Sequence, residues 1–132
     1  MKLYIEIDGV LLNIRDPHPA DYAEEFISYI VEHFDCYWLT THCKGDTTPT
    51  IEYLSEFFPD IVIEKLKFIK PTMWSALKTD AIDFSSEFIW LDDYIMNAEF
   101  SVFKKNGCAN SVYKVDLERE NLLDVLATIK SR

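Results

Sequence analysis

Four short apolar runs, separated by stretches of helical period, constrain this chain more than anything else in it. Residues 2–7 (KLYIEI), 36–40 (CYWLT), 87–91 (EFIWL) and 111–115 (SVYKV) are rich in β-branched and aromatic side chains and read as strands. CYWLT has the composition of a strand buried on both faces, as parallel sheets require, and EFIWL reads as a strong strand that runs directly into Asp92 and Asp93. Between the strands, Tyr22, Phe26, Ile30 and Phe34 recur every fourth residue within residues 20–34, one face of a helix. Pro49 opens a second helix carrying Ile51, Leu54 and Phe58, and Pro59 stops it. Residues 61–69 are ambiguous, with the IVI triplet as a short strand, and residues 71–77 are weakly helical. Asn97 reads as a helix start. After Leu117, the residues Leu122, Val125, Leu126 and Ile129 predict a terminal helix, with Glu118 and Glu120 expected in its first turn, where they suit the helix dipole. Strands alternating with helices predict an α/β fold: one Rossmann-like, three-layer domain with a mostly parallel sheet and helices on both faces.

At 132 residues and 48% hydrophobic, the chain can bury one ordinary core. It holds no apolar run of about 18 residues, and its N-terminus reads as a strand rather than a leader, so a cytoplasmic location is expected. Cys36, Cys43 and Cys108 are odd in number and lack CxxC spacing, which predicts reduced thiols rather than disulfides or structural zinc. The net charge of -10 argues against nucleic acid or anionic membrane as partners of the surface as a whole, a local basic groove apart.

Three of the strands end in polar residues that one edge of a parallel sheet would gather: IEIDG at Glu6 and Asp8, WLTT at Thr40 and Thr41, and IWLDD at Asp92 and Asp93. Ligands of open α/β sheets bind at the carboxyl ends of the strands. Each piece alone has an ordinary reading: Asp-Gly is a common turn, an Asp pair is often a solvated strand cap, and a loop hydroxyl is often just that. Their joint order carries the functional reading.

With a lysine downstream of the second strand, that order resembles the haloacid dehalogenase-like (HAD) phosphohydrolase superfamily, whose first motif is an apolar run followed by DxDG. The resemblance spans nearly the whole chain. It implies a Mg²⁺-dependent phosphomonoester phosphatase in which Glu6 is the nucleophile and Asp8 the proton donor. Thr40 and a lysine hold phosphoryl oxygens, Thr41 and Gly9 contact substrate, and Asp92 and Asp93 join Glu6 and Asp8 around the metal. Thr40 directly follows the apolar strand, while Thr41 caps it or faces the loop. Lys78, shortly before IWLDD, and Lys70, in a Lys-Pro pair, compete for the lysine role, with Lys78 preferred. No cap domain is expected, so the site should lie open to a phosphorylated small molecule or macromolecule.

Position 6 departs from the pattern, which has Asp there. The extra methylene moves the attacking oxygen on the order of 1 Å, a displacement that can cost roughly 10²-fold in rate. A catalytically silent metal- and phosphate-binding module is therefore the alternative. His42, next to WLTT, reads as a loop histidine, and Trp38 and Trp90 as sheet packing. A response-regulator receiver also uses carboxylates, Mg²⁺, Thr and Lys, but it wants its acidic pair on the first strand and its acceptor Asp on the third. Adjacency of the IWLDD strand to the first strand is expected to separate the two.

Overall fold

The computed structural model describes residues 1–132 and centres on a four-stranded, entirely parallel sheet. The strands are β1 (Lys2–Ile5), β2 (Asp35–Trp38), β3 (Phe88–Asp92) and β4 (Val112–Lys114), in the order β2-β1-β3-β4. Five helices accompany them: α1 (Ala23–His33), α2 (Thr48–Leu54), α3 (Asp60–Leu66), α4 (Asn97–Lys105) and α5 (Leu122–Lys130). The expected Rossmann-like α/β layout is what forms.

Side-chain alternation sorts the strands onto two faces. Leu3, Ile5, Cys36, Trp38, Ile89 and Leu91 enter a large core with α1, α2, α3 and α5. Tyr4, Phe88 and Trp90 enter a smaller one with Phe103 of α4. The two tryptophans thus pack on opposite faces. All three cysteines are free, and burial pushes the Cys36 thiol up to about 12, leaving it inert.

Three local expectations change. Residues 61–69 hold no strand: α3 forms because Val62, Ile63 and Leu66 make one buried stripe while Ile61 faces water, and α3 packs on α1. Tertiary burial overrides the β-branched preference of the triplet. Residues 71–77 are extended rather than helical, with the Thr72 hydroxyl donating to the Trp38 carbonyl at 2.6 Å and the Gly45 N–H to the Thr72 carbonyl at 2.8 Å. Only Lys78–Ala81 coil, as a short 3-10 turn. Glu118 and Glu120 precede α5 instead of opening it. Asn121 caps that helix by accepting the Asp124 N–H, while Glu120 accepts from Tyr113 and from the Asp116 N–H.

Because residues 61–69 form no strand, IWLDD is the third strand and not a fourth. It does lie beside β1. That adjacency fails to separate the two readings, since the flavodoxin-like doubly wound sheet, shared by receivers, begins with the same 2-1-3-4 order.

Candidate active site

In a sheet of this order the chain leaves β1 toward β2 and later crosses back to β3, so a crevice opens at the carboxyl ends of β1 and β3. The register pairs Lys2 with Phe88 and Ile5 with Leu91, and the Glu6 N–H continues it by donating to the Leu91 carbonyl at 3.0 Å. Glu6 and Asp92 are therefore opposite one another. Two residues beyond Tyr4 and Trp90, they point to the face that α4 covers.

Lys78 reaches them from the 3-10 turn on that face. Its ammonium lies 2.5 Å from Glu6 Oε2 and 2.6 Å from Asp92 Oδ2. The remaining oxygens also have donors: Glu6 Oε1 accepts the Ile7 N–H at 2.8 Å and Asp92 Oδ1 the Tyr94 N–H at 3.1 Å. Buried Glu99 in the first turn of α4 accepts the Lys78 N–H at 3.0 Å and the Met96 N–H at 3.1 Å, which ties the lysine to the helix start. Two carboxylates thus share one ammonium out of water. Burial pushes the Asp92 carboxyl up to about 7, with Lys78 opposing the rise and Glu6 adding to it. Burial works to lower Lys78 too, yet Glu6 and Asp92 together hold it above its ordinary value.

Asp8 and Asp93 turn elsewhere. Asp8 sits past the strand, where its carboxylate meets His42 Nε2 at 2.8 Å and the Tyr53 hydroxyl at 3.4 Å. Asp93 lies against Gly9, whose φ of 82° and missing side chain are both needed: a Cβ there would come within 2.4 Å of the Asp93 carboxyl carbon. Beside this contact is a cavity of about 580 Å³, with Gly9, Asn13, Arg15, Asp93 and Lys114 among its walls. Thr40 is fully buried and its Oγ1 accepts the His42 N–H at 3.3 Å, whereas Thr41 is exposed in the turn. Of the two lysines, Lys78 is at this edge, while Lys70 pairs with Asp35 at the opposite end of the sheet.

The structure thus brings Glu6, Lys78 and Asp92 into contact and holds Asp8 and Asp93 to either side, rather than converging all four carboxylates. In these rotamers no three acidic, imidazole or thiol groups surround a common point. Donor chemistry nevertheless fits a hard divalent cation: oxygen ligands on adjacent strands, with one negative charge left over after Lys78 is counted. Glu6 and Asp92 are the residues placed together that would hold it, while Asp8 and Asp93 turn away from them.

Sequence reasoning had no role for Tyr53 or Glu99 and set His42 aside. A glutamate at the third position of α4 is a helix-start cue that could have singled out Glu99. Nothing local signals that Tyr53 meets Asp8 across 45 positions. Comparison with protein-family models, curated proteins and solved structures found no match.

Proposed function

We propose that this chain is a Mg²⁺-dependent, capless HAD-like phosphomonoester phosphatase whose turnover is weakened by Glu6. One observation carries the reading: Lys78 bridges Glu6 and Asp92 at the crevice between β1 and β3. A lysine that touches the attacking carboxylate can also neutralise a phosphoryl oxygen brought against it. In the proposed reaction a Glu6 oxygen attacks phosphorus, the bond to the leaving oxygen breaks, and Asp8 gives that oxygen its proton. Water then attacks the acyl phosphate, Asp8 takes back a proton, and phosphate leaves with Glu6 restored. Thr41 and Gly9 border the substrate, while Thr40, fully buried with its Oγ1 on the His42 N–H, supports the turn behind them. When bound, Mg²⁺ supplies charge neutralisation for a phosphate that this acidic edge would otherwise repel. No helix is long and apolar enough to cross a membrane, and the open edge suits a phosphate on a small molecule or on a macromolecule.

The silent-module reading draws on a different observation. Both Glu6 oxygens are engaged, one by Lys78 and one by the Ile7 N–H directly after it, so the longer side chain is curled back rather than aimed outward. The receiver reading is weaker, because its acceptor by position, Asp92, is only 1% exposed against 7% for Glu6.

The deciding assay is Mg²⁺-dependent hydrolysis of an aryl phosphate by wild type, Glu6→Asp and Asp8→Asn. Wild-type turnover abolished by Asp8→Asn supports the phosphatase. Turnover seen only in Glu6→Asp supports the silent module, with a gain on the order of 10²-fold expected from correct placement of the attacking oxygen. Inactivity of all three, with no Mg²⁺ binding, overturns both.

A further inference from the structure

We propose that His42 and Tyr53 form an aromatic clamp that orients Asp8 for protonation of the leaving group, an inference that rests on the phosphatase reading. His42 Nε2 is 2.8 Å from one Asp8 oxygen and the Tyr53 hydroxyl donates to the other at 3.4 Å. An ionised carboxylate only accepts, so Nε2 carries the hydrogen in that contact. The two rings stack with centroids 4.2 Å apart and planes 11° apart, and Phe57 meets the far side of Tyr53 edge-on at 5.3 Å.

Main-chain contacts fix the histidine as well. Its N–H reaches Thr40 Oγ1 at 3.3 Å and its carbonyl accepts the Thr50 hydroxyl at 2.8 Å. Thr50 and Tyr53 both belong to α2, so that helix holds His42 from its backbone and from its ring. The Asp8 backbone is held by its bridge to Leu12, but its side chain has no hydrogen-bond partner other than His42 and Tyr53. Its carboxylate is half-exposed, and a short side chain there would otherwise sample several rotamers. A proton donor must be within hydrogen-bond reach of the oxygen it protonates, so when Asp8 carries the proton on one oxygen, the Nε2–H contact at the other fixes the aim of that proton.

His42 and Tyr53 act through Asp8 and are positioning residues. The consequence is specific to one half of the reaction. Phosphoryl binding by Lys78 does not pass through the clamp, whereas departure of a basic alkoxide does. A p-nitrophenolate leaves without a proton; an alkoxide does not.

The test compares kcat and KM for p-nitrophenyl phosphate and a simple alkyl phosphate in wild type, Tyr53→Phe, His42→Ala and His42→Gln. It is run in the Glu6→Asp background if only that background turns over. Tyr53→Phe and His42→Ala are expected to lower kcat on the alkyl ester on the order of tenfold, with KM little changed and a smaller loss on the aryl ester. His42→Gln, whose amide offers a donor near the Nε2 position, is expected to recover most of that loss. Equal losses on both esters, or a loss in KM alone, overturn the clamp while leaving the phosphatase standing. No hydrolysis of either ester in either background overturns the phosphatase reading and the clamp with it.

Discussion

The two edges of one sheet carry charge in opposite ways. At the amino edge, Lys2 meets Asp83 at 2.9 Å and Lys70 meets Asp35 at 2.7 Å, one cation to each carboxylate, in side chains that water reaches. At the carboxyl edge a single, largely covered ammonium, that of Lys78, serves two buried carboxylates. Exposed pairs cost little to form and contribute little. A buried cluster with surplus charge costs desolvation that its internal attraction need not repay, so stability alone gives no reason for it. Strand ends with such clusters are where perturbed carboxylates do chemistry. The difference marks the carboxyl edge as the candidate for chemistry without reference to any motif.

Removing the lysine should break the contrast most severely. Lys78→Met leaves Glu6 and Asp92 buried without a cation, and a loss on the order of 3–5 kcal/mol is expected in urea unfolding at pH 8. A loss below about 1 kcal/mol would mean that the two carboxylates are not held as a charged pair. Asp92→Asn should do the reverse to stability and function. It removes the surplus charge while retaining an oxygen for the Tyr94 N–H, so stability should stay within about 1 kcal/mol of wild type while Mg²⁺-dependent hydrolysis disappears.

Titration should distinguish the edges by sign. Asp92 titrates near 7 in the folded chain and near 4 when unfolded. From about pH 4 to about pH 7 the folded state therefore keeps a proton that the unfolded state has released, and this group makes stability fall as pH rises through that window. The amino edge does the opposite. Lys70 first, with help from Tyr37, holds Asp35 below its ordinary value, and Ser85 and then Lys2 do the same for Asp83. Their contribution is present above the unfolded pKa and is lost as pH falls through the lower folded one. Unfolding midpoints from about pH 2 to about pH 8 test both, and Asp92→Asn should flatten only the upper window.

What could be read from the chain was what neighbours in sequence decide. IEIDG, WLTT and IWLDD declare strands and their polar ends, because a strand's composition and its exit are local. That Glu6 faces Asp92 depends on a parallel register between residues far apart, and the choice of Lys78 over Lys70 depends on which end of the sheet each loop reaches. Proximity to IWLDD favours Lys78 in sequence, and only the fold shows Lys70 at the opposite end of the sheet. The helix at Val62, Ile63 and Leu66 was hidden for a similar reason, since its apolar stripe has meaning only against α1. The direction of Asp8 was least accessible of all, being set by a histidine after β2 and a tyrosine on α2. One-dimensional pattern locates the carboxylates, and packing decides which of them share a cation.

The smallest expected effect belongs to the amino edge, and it tests whether exposure is what separates the two ends. Lys70 lies 5.3 Å from the Tyr37 ring centre and Lys2 5.7 Å from the same ring, so each has a cation–π contact beside its ion pair. Lys70→Ala should leave the unfolding midpoint nearly unchanged, because both contacts lie at the solvent surface. A double-mutant cycle with Asp35→Asn isolates the ion pair, whose coupling should be small and shrink further in about 0.5 M salt. The same cycle between Lys78 and Asp92 should return several times more and depend less on salt, because that pair is largely shielded from water. Equal couplings at the two edges would show that burial is not what distinguishes them, and the case for a working carboxyl edge would then rest on Asp8 alone.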